Sequence, residues 1–168
     1  VELADGLDLM GTDNPVVQQA RQNLAIEDWQ AAKRDFTSLA NSTDLSEQAM
    51  GAYGLYVAAV KSGEIPEQPR LKNSSEGYLA LILMAAFDGD LRKGLQFADE
   101  ALRAFRQTPE IHVAKARVEV LLGEPGKAMK TLSSALDIFP DSDRLIVAKS
   151  DWLREYGGQP KAARDLVK

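Results

Sequence analysis

The chain has 168 residues, 45% apolar and 27% charged, enough for one domain or an array of small repeats with a sizeable core. It has no cysteine and one histidine, His112, which excludes disulfides, thiolate metal sites, cysteine catalysis and any site needing two imidazoles. The formal charge of −5 resides in residues 1–44, which hold three basic residues against eight acidic ones, so the remainder is balanced and offers no basic cluster for nucleic acid.

The chain opens Val1-Glu2-Leu3, without an initiator Met and without the basic-then-apolar pattern of a signal peptide, and is read as processed or as cut from a longer protein. The lack of cysteine is compatible with a bacterial periplasm and equally with cytoplasm. A first block, Asp13 to Ser42, places Ala20, Trp29, Ala32 and Phe36 in a small, aromatic, small, bulky pattern around the turn AIEDWQAA. Leu45 to Ser62 follows as one helix, with Ser42, Thr43 or Asp44 as its cap and Ala49, Ala52, Tyr53, Tyr56 and Val60 at helical spacing. Pro66 and Pro69 would interrupt a partner helix, so residues 63–74 are expected as a loop or at most one turn, either a binding insertion or a decayed repeat. Ser74 or Ser75 then caps a helix in which Tyr78 to Phe87 is apolar all round, as expected of an element covered on both sides. That run is ten residues, whereas roughly 20 are needed to span a bilayer.

From here the chain repeats itself. Gly89, Gly123 and Gly157 stand at one constant interval, and the same interval separates Gly94, Ala128 and Ala162, and then Ala98, Leu132 and Leu166. With Ala101 and Ala135, the i, i+4, i+7 spacing puts each set on one helical face. A glycine ending one helix, a short polar turn and a small residue entering the next make a helix-turn-helix hairpin whose backbones approach closely.

This unit resembles the tetratricopeptide (TPR) repeat, a helix-turn-helix of about 34 residues whose period it shares. Pro109 to Ser142 is the best copy, with Ala116, Gly123, Ala128, Leu132, Ala135 and the closing Pro140, although His112, Lys115 and Glu119 stand where the family prefers Trp, Leu and an aromatic. Ser75 to Thr108 keeps Tyr78, Leu81, Gly89, Gly94 and Ala101 but lacks the closing Pro. The copy from Asp143 keeps Ser150, Leu153, Gly157, Ala162 and Leu166 and ends within its second helix, while the Asp13–Ser42 copy carries Glu27 in place of the turn glycine. The expected fold is all-α, a right-handed superhelix of about eight or nine helices in one solenoid over residues 1–168. Its units are 13–42, a broken 45–74, 75–108, 109–142 and a truncated 143–168. No polar capping helix is read at the end, so the expectation is a fragment of a longer array, or an end covered by a partner or a second copy.

The resemblance implies a protein or peptide partner in a groove lined by first helices, here Leu79, Leu83, Val113, Arg117, Val120, Val147, Asp151 and Arg154. Family members that clamp a terminal carboxylate use Lys, Arg and Asn at such places, whereas this row has Leu, Val and Val in three of them. The resemblance thus argues against a carboxylate clamp and for an amphipathic helix or extended segment in an apolar groove edged by Arg117, Asp151 and Arg154. Core packing is the alternative for Leu79 and Leu83, and a solvated ion-pair face for Arg117, Asp151 and Arg154. Tyr53 and Tyr56, with Trp29, form either an aromatic surface beside the broken repeat or part of the core. His112 stands at a helix-packing position with no nucleophile or phosphate-loop motif accompanying it, and no metal or cofactor signature is present. The expected function is a non-catalytic interaction scaffold. The alternative is the helical domain of a larger envelope enzyme or polysaccharide-export machine, which would call for aromatic platforms along the groove.

Overall fold

The computed structural model describes residues 14–66, 70–105 and 108–157. Among them are eight helices and no strand: α1 (Pro15–Ala25), α2 (Trp29–Ala40), α3 (Leu45–Lys61), α4 (Ser75–Phe87), α5 (Leu91–Ala104), α6 (Pro109–Leu121), α7 (Pro125–Ile138) and α8 (Asp143–Tyr156). The acidic residues before Asn14, Pro69, and the positions Ala162 and Leu166 of the third copy's second helix lie outside the described residues. The chain divides into two compact units, Val1–Asp90 and Leu91–Lys168.

The period is visible as geometry. Helices α4, α6 and α8 begin at Ser75, Pro109 and Asp143, evenly spaced along the chain, and α5 and α7 begin at Leu91 and Pro125 with the same offset. Gly89 and Gly123 both take a left-handed φ, 78° and 79°. After Gly89 the Asp90 N–H reaches back to the Ala85 carbonyl, and after Gly123 the Glu124 N–H reaches Glu119, so both turns satisfy the last helical carbonyls in the same way. Two further turns join them. Gly63 (φ 82°) closes α3 with a Glu64 N–H to Ala59 bond, and Glu27 (φ 60°) does so between α1 and α2, where Asp28 bonds to Asn23. Gly157 departs from the expected pattern: its φ is −64° and its N–H still bonds the Leu153 carbonyl, so helical geometry continues through the residue that was expected to make the turn.

In the first unit, α1 packs on α2, α2 on α3 and α3 on α4. Asp44 caps α3 by accepting from the Glu47 N–H, and Ser74 caps α4 by accepting from Gly77. Among the described residues of 62–74 there is no helix, so α3 and α4 pack together without an intervening partner. Two glycines allow α3 to seat closely on α2. A Cβ at Gly51 would collide with the Ala40 nitrogen, and one at Gly54 would collide with the Phe36 ring. The core here is Phe36, Leu39, Met50, Tyr53 and Val57, together with α4, which is buried without a break from Gly77 to Ala86. Val60, expected on the packed face of α3, is 37% exposed at its last turn.

In the second unit, α6 packs on α5, α7 and α8, and α7 also on α8. The small residues expected at the crossings, Gly94, Ala98, Ala101, Ala116, Ala128 and Ala135, are all buried. Ser150, the small residue of α8, is exposed.

Candidate interaction surface

The proposed groove residues separate by depth. Leu79 and Leu83 on α4, Val113 on α6, and Tyr53 and Tyr56 on α3 are all buried, so they are packing residues and a partner does not reach them on this surface. The reason is local. α4 has no polar face to turn outward, and α3 is sandwiched between α2 and α4, so the even choice for the tyrosines resolves to core. Tyr56 is buried with its hydroxyl donating to Asp88, which ties α3 to the end of α4. Burial and that bond push the Tyr56 phenol up to about 12. Trp29 is half-buried at the start of α2.

The rest of the row lies on α6 and α8 of the second unit. Arg117 and Val120 are half-buried, whereas Val147, Asp151 and Arg154 are exposed. These positions pair by register, since Val147, Asp151 and Arg154 stand one period after Val113, Arg117 and Val120. Arg154 donates to the Asp151 carboxylate within α8, an exposed ion pair of the kind worth little by itself. Between the helices, Arg144 pairs with Glu110 at 3.4 Å.

The contrast between equivalent positions defines the surface. Val113 is 3% exposed and Val147 is 57% exposed, while Glu119 is buried and its counterpart Leu153 is 37% exposed. With Ile146 at 44%, α8 thus shows three large apolar side chains to solvent, and buries Leu145 and Trp152 on its other side. Trp152 is fixed there by an Nε1–H bond of 2.9 Å to the Pro125 carbonyl. Sequence reasoning singled out Val147 but not Ile146, although the i, i+7 relation of Ile146 to Leu153 was a legible signal.

Two features escaped the sequence reading. Glu119 is buried, and the Thr131 hydroxyl donates to its Oε1 at 2.5 Å, which accommodates a carboxylate where the family pattern prefers an aromatic. An open depression of about 290 Å³ runs along α5 between Arg92 and Arg103, lined by Leu95, Gln96 and Asp99. Asp99 also pairs with Lys115 of α6 at 3.0 Å. Among the described residues no group of three or more acidic or imidazole side chains could hold a metal ion, and no helix is long and apolar enough to cross a membrane.

No protein-family model matches the chain, and no curated protein matches it. Among solved structures the chain is similar to TTC0263, a thermophilic TPR protein in Thermus thermophilus. The identity is 23%, the TM-score 0.46, and the likeness covers 89% of this chain and 86% of that one. The chain is an all-α helical repeat by its own register, in which three first helices and two second helices recur at one interval, with matching left-handed turns at Gly89 and Gly123.

Proposed function

We propose that this TPR-like chain is a non-catalytic interaction scaffold that binds a protein or peptide partner through the exposed face of α8, beside the half-buried Arg117 and Val120 of α6. The reading is supported by one observation above all: Val147 is open where its register mate Val113 is packed away. Val147 and Ile146 provide apolar area, while Asp151 and Arg154 beside them set orientation, a combination that suits an amphipathic helix or an extended segment with at least one charged residue.

The test is affinity capture with the full chain and with Val147→Glu and Arg154→Glu. Both sites are exposed, so both variants should keep the parent's helical circular dichroism and melting temperature. Loss of a captured partner by at least tenfold in either variant supports the surface. Folded variants that retain every partner overturn it. Leu83→Glu is unsuited to the purpose, because Leu83 is 2% exposed and a carboxylate there would report on folding.

A further inference from the structure

His112 is half-buried on α6, and its Nε2 is enclosed without a hydrogen-bond partner. Its ring packs against Phe139 at a centroid distance of 6.2 Å. Phe139 is the C-cap that follows α7, and its carbonyl accepts from the N–H of Ser142, the residue that caps α8. The imidazole therefore supports the joint from which α8 starts. The equivalent place one repeat earlier is Tyr78, which is buried, and one repeat later it is Ile146, which is exposed, so His112 is the titratable ring of this register position.

We propose that His112 is a pH-responsive latch: proton uptake in mild acid places a charge on an enclosed imidazole with no acceptor at Nε2, draws the ring from its packed place against Phe139, weakens the α7–α8 joint and loosens the seat of α8. The carboxylates on the helices packed against α6, and on α6 itself, are occupied or turned outward. Asp99 of α5 takes Lys115, Glu100 of α5 accepts from Gln96, Glu110 takes Arg144 of α8, Glu119 takes Thr131 of α7, Asp151 of α8 takes Arg154, and Glu155 is exposed. Asp137 of α7 and Asp143 of α8 are exposed. The charge that does lie close, Lys115 one turn along α6, is of the same sign as an imidazolium. Burial first, and then Lys115, hold the imidazole below its ordinary value of 6.5. The folded state thus favours the neutral ring. Stability is complete above the ordinary value, falls as pH drops through it because the unfolded chain binds the proton first, and levels off below the lowered folded value.

Trp152 reads the seat of α8 directly. In the full chain carrying Trp29→Phe, Trp152 is the single tryptophan. Its emission should shift to the red between pH 7 and pH 5 and recover on return to pH 7. The shift should be absent in His112→Phe and in His112→Tyr, the latter reproducing the ring that stands at position 78. Glu110→Gln should retain it, since the Glu110–Arg144 pair is the other ionisable link to α8. A parent protein with no shift, an unchanged shift in the folded His112 variants, or its loss in Glu110→Gln would each overturn the proposal.

Discussion

The two units differ in a way that separates regularity from burial. The second unit, Leu91–Lys168, carries one complete helix-turn-helix period, the left-handed Gly123 turn and buried small residues on α5, α6 and α7. The first unit has α1 and α2 as a shortened pair, and among its described residues no helix lies between α3 and α4. Yet the irregular unit contains the unbroken buried helix α4 and the closest approach, α3 on α2 across Gly51 and Gly54. The regular unit leaves Ile146, Val147 and Leu153 in water. A repeat specifies which face is apolar, but coverage of that face depends on the neighbour present at each position.

The largest expected effect breaks the first unit at its closest contact. Gly51→Val places side-chain atoms against the Ala40 nitrogen and the Phe36 carbonyl, neither of which can move without shifting α2. The expected cost is about 3 kcal/mol, near the upper end for overpacking, read as a lowered urea midpoint. Trp152→Phe tests the second unit by removing the bond to the Pro125 carbonyl while keeping a ring, at about 1 kcal/mol. An unchanged midpoint would mean that the bond to the Pro125 carbonyl adds nothing to the seating of α8.

Gly123→Ala and Glu27→Gly form a matched pair on left-handed turns. A Cβ at Gly123 meets nothing within 4 Å, so the cost, about 1 kcal/mol, is backbone strain. Glu27→Gly relieves the same strain at φ 60° but adds unfolded-chain entropy, and should gain less than about 1 kcal/mol. Comparison of their melting temperatures sharpens the view that the degenerate first turn is strained where the regular turns are not. The last effect is alkaline. Because the Tyr56 phenol is held up at about 12, the unfolded chain releases its proton first, and stability falls as pH rises from the ordinary value of 10.0 towards 12. In Tyr56→Phe the melting temperature should decline less steeply across that range.

Helix limits, caps and turns were legible because they depend on neighbouring residues. Asp44 and Ser74 cap through their own oxygens, and Gly89 and Gly123 turn because a left-handed φ is inexpensive only for glycine. Gly157 shows the limit of that logic, since glycine permits the left-handed turn without imposing it. The surface was legible only in part. Leu79, Val113 and Val147 occupy one register position and look alike in sequence, but the first two are covered and the third is not. The roles of Gly51 and Gly54 were hidden too, because a glycine within a helix acquires meaning only when another helix approaches it.

By itself the sequence determined the period, the helices and the chemistry that is missing. Those follow from residue type and spacing along one chain: a lone His112, no cysteine, and small residues at i, i+4, i+7. Tertiary structure decided what lies inside. It buried Tyr53, Tyr56, Leu79, Leu83 and Val113, gave Glu119 its Thr131 partner, set His112 against Phe139 and left α8 open. The physical reason is that burial belongs to pairs of elements, and a pattern within one helix can state which face wants a neighbour without stating whether a neighbour is there.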